Sequence, residues 1–82
     1  MYVEILTPEK KLFEGSAESA KFPGSDGSFQ VLENHAPLIS SLDKGLMSLV
    51  TSKGMMEYQV GGGVVEILNN KVTVLLEKAE EL

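Results

Sequence analysis

Apolar and polar residues alternate along most of this chain with a period of two, the spacing of half-buried strands and not of helices. Val3, Ile5 and Thr7 alternate with Tyr2, Glu4 and Leu6 until Pro8, which lacks a backbone donor, stops the strand. Leu12 and Phe13 lead to Gly15, and Ala17 to Phe22 alternates again up to Pro23-Gly24. The segment Pro23-Gly24-Ser25-Asp26-Gly27 is the strongest loop signal, with two glycines free to take positive φ and an aspartate able to cap a turn. Phe29 to Leu32 restarts an extended piece, Glu33-Asn34-His35 interrupts it, and Pro37 pushes Ala36 toward extended backbone.

Leu38 to Leu42 continues as a strand, and Asp43-Lys44-Gly45 reads as a tight turn. Leu46–Thr51 and Met55–Val60 flank Ser52-Lys53-Gly54 and predict a hairpin; Val64–Leu68 and Val72–Glu77 flank Asn69-Asn70 and predict a second. The strand Val72–Leu76 is apolar on both faces, which places it inside a sheet or under a partner. Only Glu77 to Leu82 has helical composition, and it is too short to hold a helix without packing. Eight or nine short strands at such spacing predict an all-β domain, a sandwich or small barrel.

Length and charge narrow the picture. Eighty-two residues make a single domain, 1–82, and a chain of this size buries roughly 60–65% of its unfolded surface, which leaves a thin stability margin. Without cysteine, neither disulfides nor thiolate metal sites brace the fold. Seven lysines, no arginine and a net charge of -5 make nucleic acid and anionic lipid poor partners. No apolar run approaches the roughly 20 residues of a spanning helix, and Met1 to Pro8 lacks the basic start and cleavage site of a signal peptide. The expectation is a soluble intracellular domain without direct lipid insertion, able to dock on a membrane complex through protein contacts.

Candidate chemistry is sparse. The one histidine, His35, cannot supply the three or four ligands of a usual zinc site. None of the serines stands in a nucleophile-elbow pattern. Gly61-Gly62-Gly63 is followed by a β-branched strand and has no Lys-Ser/Thr pair, so it reads as a bulge or close backbone approach and not a phosphate cradle. Met56, Tyr58 and Val60 share one side of a strand and read mostly as core, while Glu77, Glu80 and Glu81 read as a solvated tail. Neither catalysis nor a cofactor is expected. By composition, Gly24 to Leu38 is only a rim loop with a proline-stiffened histidine turn.

Those same residues carry a resemblance. Val3-Glu4-Ile5-Leu6-Thr7-Pro8, Leu12-Phe13-Glu14-Gly15, Gly24 to Leu32, His35-Ala36-Pro37-Leu38, Leu42-Asp43-Lys44-Gly45, Gly61 to Ile67 and Asn70 to Leu75 stand in order and at matching spacing. Together they resemble the N-terminal domain of the F-type ATP synthase epsilon subunit (delta in mitochondrial naming), over essentially the whole chain. The resemblance implies a flattened sandwich of about ten strands and a non-catalytic role in the central stalk, one copy per complex and monomeric alone. It implies docking on the gamma subunit and on the polar loops of the membrane c-ring, at the cytoplasmic face of a bacterial membrane or the stromal face of a thylakoid.

The family's c-ring loop maps onto Gly24 to Phe29, with Asp26, Ser28 and Phe29 as candidate contacts; the gamma-facing part maps onto His35, Ala36, Leu38, Ser40 and Leu42. Two departures stand out. The family often has glycine at Gln30 and a proline-glycine pair at Glu33-Asn34, so the turn is expected to differ in backbone shape. The family usually carries a two-helix C-terminal domain, so a natural short form or a trimmed chain is expected, without helix-based inhibition or a nucleotide site.

Overall fold

In the computed structural model, which describes residues 1–82, the alternating stretches all become strands. They are β1 (Tyr2–Leu6), β2 (Lys11–Ser16), β3 (Ser19–Gly24), β4 (Gly27–Leu32), β5 (Leu38–Thr51), β6 (Gly54–Leu68), β7 (Lys71–Leu76) and β8 (Ala79–Glu81). Hydrogen bonding links them in the order β2-β1-β7-β6-β5-β3-β4, with β8 on the free part of β6. All pairs are antiparallel except β1 with β7. The doubly apolar β7 lies between β1 and β6, inside the sheet, as its composition requires.

The long hairpin β5–β6 makes this one ladder a two-layer sandwich. In β5 the residues turned inward run through Leu38, Ser40 and Leu42, and then through Met47 and Leu49. In β6 they run through Tyr58, Val60 and Gly62, and then through Val65 and Ile67. Inward parity flips in both strands at the same level, where Leu42 pairs with Gly63 and Lys44 with Gly61. The hairpin therefore bends there and passes from one layer to the other without losing register. One layer is β2-β1-β7 with the second half of β6 and the first half of β5; the other is β4-β3 with the remaining halves and β8. Counted by layer, the two bent strands give ten segments, five in each sheet.

Asp43-Lys44-Gly45 is thus a bend within a continuous strand and not a tight turn. The glycine run across from it makes the bend possible. A Cβ on Gly63 would lie 2.2 Å from the Leu75 carbonyl oxygen, so only glycine permits this approach of β6 to β7. The tail also differs from its composition. Glu77 to Leu82 forms no helix, and β8 adds to β6 opposite Tyr58–Val60, with the Leu82 amide donating to the Glu57 carbonyl at 2.9 Å. An open ladder edge satisfies more backbone groups there than a lone helical turn could.

Three of the four hairpins close through two-residue turns, and β1–β2 closes through residues 7–10, where the Thr7 amide donates to the Lys10 carbonyl at 2.9 Å. Ser25-Asp26 and Ser52-Lys53 are each followed by a glycine in the left-handed region, Gly27 at φ 121° and Gly54 at φ 117°. Asn69 and Asn70 take φ 51° and 60°, the pair of positive values a type I′ hairpin needs. Seventeen buried apolar residues fill the space between the layers, Tyr58, Phe22, Ile5 and Met47 being the largest. Burying each larger aliphatic side chain or Phe22 contributes about 1.5–3 kcal/mol, set against the entropy of ordering it. The shortest extent of the domain is 19 Å, two sheets thick, against 28 and 26 Å along the others.

Candidate interaction surfaces

The β3–β4 hairpin tip is small and held firmly. Gly24 is buried, and a Cβ there would meet the Gly27 carbonyl oxygen at 2.6 Å and the Phe29 ring at 2.8 Å. The Ser25 amide donates to the Ser41 carbonyl at 3.0 Å, and the Ser41 hydroxyl donates to the Ser25 hydroxyl at 2.9 Å. The tip is in this way clipped to β5. Asp26 and Ser28 stand exposed on it. Phe29 is different: half-buried, it packs on Phe22 with ring centroids 5.5 Å apart and belongs partly to the core. The region read as a glycine-flexed loop is a two-residue turn between paired strands, with Gly24 opposite Gly27.

The histidine turn is built by side chains. Asn34 takes φ 62°, where asparagine is tolerated and glycine is unstrained, so the backbone bends without the family's usual glycine. The Asn34 amide donates to the Asn70 side-chain oxygen at 2.8 Å, and the Asn70 amide nitrogen donates to Glu33 at 3.2 Å. Glu33 also accepts from the Met1 ammonium; that bond and the one from Asn70 hold its pKa below the ordinary carboxylate value. The His35 ring is satisfied locally, Nδ1 donating to the Ala36 carbonyl at 2.7 Å.

Beyond Pro37 the strand sorts its residues by parity. His35 is half-buried and Ala36 exposed, so both are reachable. Leu38 and Ser40 lean inward, and Leu42 is a core residue with 4% of its surface exposed. Leu42 cannot be a surface contact, because residues of that parity fill the sandwich. The neighbours of opposite parity, Ile39 and Ser41, point out. Ile39 is 71% exposed, the highest value among the large apolar side chains.

Ile39 opens onto a face that motif reading misses. Across the first layer Glu4, Thr73, Glu66 and Ile39 form one outward row, and Leu6, Leu75, Val64 and Ser41 form the next. Leu75 and Leu68 are each about half exposed, at 47% and 49%. At the far edge Lys11 binds Glu14 at 2.6 Å and Glu4 at 3.1 Å. The outward parity of Ile39 was readable from the period-two pattern, but its neighbours come from strands far away in sequence.

The family described as "ATP synthase, Delta/Epsilon chain, beta-sandwich domain" matches residues 1–82. The chain belongs to that family. Among relatives, it is 41% identical over 80 residues to the "ATP synthase epsilon chain, chloroplastic" of Tetradesmus obliquus, covering 98% of this chain and 59% of that one. It is 42% identical over 83 residues to the "ATP synthase epsilon chain" of Pelotomaculum thermopropionicum, covering 98% and 62%. The chain thus spans about three-fifths of the length of these epsilon chains.

A chain of the Euglena gracilis mitochondrial ATP synthase (OSCP/F1/c-ring in rotational state 1) superposes with a TM-score of 0.89 at 15% identity, covering 96% of this chain and 51% of that one. A chain from the Tetrahymena thermophila central stalk and c-ring superposes at 0.84 with 14% identity, covering 98% and 65%. At such identities these likenesses establish the fold alone.

Proposed function

We propose that this chain is the rotor-coupling domain of an F-type ATP synthase, a central-stalk element that joins the gamma subunit to the c-ring. The family match along the whole chain carries this reading. The mechanism is mechanical: a close-packed two-layer sandwich transmits torque because its interior does not yield. Asp26 and Ser28 project from the clipped tip toward polar c-ring loops, each rim contact worth little alone, with Phe29 stiffening the tip from behind. His35 and Ala36 lie at the edge of the gamma-facing surface, beside the inward-leaning Leu38 and Ser40. Proton passage and nucleotide chemistry belong to other subunits, and the chain acts at the membrane periphery through those contacts.

A pull-down of the folded chain with recombinant gamma subunit tests the reading. Stoichiometric capture is expected. A chain that gives a cooperative thermal transition yet leaves gamma in solution would refute it.

A further inference from the structure

Glu66 stands alone on the outer face of the first layer. Glu4 and Glu14, the other carboxylates there, share Lys11, and Lys71 leans to Glu4 at 4.0 Å. Glu66 has no ion pair and no hydrogen bond to a side chain, although it is exposed. Many of its neighbours are apolar: Val64 and Leu68 along its own strand, Ile39 directly across on β5, and Leu75 diagonally across on β7. The polar ones are Thr73, its partner on β7, and on the diagonals Ser41 of β5 and Lys71 of β7, the latter turned toward Glu4. A shallow depression of about 340 Å³ lies at this point, lined by Pro37, Leu38, Ile39, Glu66, Ile67 and Leu68.

An unpaired carboxylate at the rim of an apolar depression has one natural complement. It fits a cationic side chain with a long aliphatic stem, whose methylenes cover Ile39 and Leu68 while its head meets the carboxylate. We propose that gamma docks on this face by placing a lysine or arginine in the depression, and that Glu66 sets the specificity of the contact. The proposal rests on the rotor-coupling reading for the identity of the partner; the chemistry of the contact comes from the face itself. The opposite layer also has an outward carboxylate without an ion pair, Glu57, but it is half-buried and faces Ser48. Leu32, Leu46 and Met55 are separated by Ser19, Ser48 and Gln59 in the outward rows.

The test is a titration of purified gamma with the full chain and with Glu66→Gln, Glu66→Lys and, on the opposite layer, Glu80→Lys. The proposal expects Glu66→Gln to weaken binding by about tenfold and Glu66→Lys by about a hundredfold, with melting temperatures unchanged. Glu80→Lys should bind like the parent. Added salt should weaken the parent more than Glu66→Gln. Parent-like binding by Glu66→Lys would overturn the proposal and leave the rotor reading standing. Failure of the folded parent to bind gamma would overturn both. Self-association of the parent, abolished by Glu66→Lys, would assign the face to a second copy and also overturn it.

Discussion

The β3–β4 tip and the outer face of the first layer are the two surfaces through which this domain is read to act, and they are made in opposite ways. The tip is local. Six consecutive residues, from Gly24 to Phe29, form it, and bonds from Ser25 to Ser41 lock it to the sandwich. The face is assembled at a distance: Ile39 meets Glu66 across the β5–β6 ladder, and Thr73 reaches Glu66 from β7. A local surface tolerates change in the rest of the fold, whereas a distributed one exists only while register holds. The bend at Gly61–Gly63 is where that dependence concentrates.

Breaking the bend should therefore have the largest effect. Gly63→Val drives a side chain into the Leu75 carbonyl and should cost about 3 kcal/mol or more by denaturant unfolding, with loss of gamma binding. Tip docking would be affected only through overall unfolding. Next comes Phe29→Ala, which removes a half-buried ring from Phe22 and should cost about 2 kcal/mol, roughly half the price of a fully buried phenylalanine. Asp26→Lys separates contact from packing: stability should stay within about 0.5 kcal/mol, while c-ring docking measured by co-sedimentation weakens several-fold.

The smallest effect is electrostatic. Hydrogen bonds from Lys11 and then Tyr2 hold the Glu14 pKa below its ordinary value. A depressed folded-state pKa contributes stability above the unfolded carboxylate value and loses it as pH falls through the folded one. The melting temperature of the parent should thus exceed that of Glu14→Gln slightly at neutral pH, and the gap should close below the ordinary carboxylate range.

This contrast also explains what could be read from the sequence. Strand positions, two of the hairpin turns and the central placement of β7 followed from alternation and turn chemistry, which are local. Asp43-Lys44-Gly45 has turn composition and so reads as a turn. Its true role depends on Gly61 and Gly63 opposite, a pairing that no local window contains. The tail has helical composition, but the open edge at Tyr58–Val60 recruits it as β8. At the surfaces, the resemblance points to Asp26 and Ser28, and both stand exposed, Asp26 in the turn and Ser28 at the start of β4. Motif position names Leu42 as a contact because it ignores parity, and parity puts Leu42 in the core while turning Ile39 out. Glu66 was visible only once three strands were side by side.

The most direct test uses the absence of cysteine in this chain, which makes any introduced thiol unique. Single variants Glu66→Cys, Asp26→Cys and Met55→Cys would be alkylated free and in a reconstituted assembly of gamma and c-ring. Strong protection is expected at positions 66 and 26 in the assembly, with unchanged reactivity at position 55, on the opposite layer. Protection at 55 with 66 and 26 left open would contradict it.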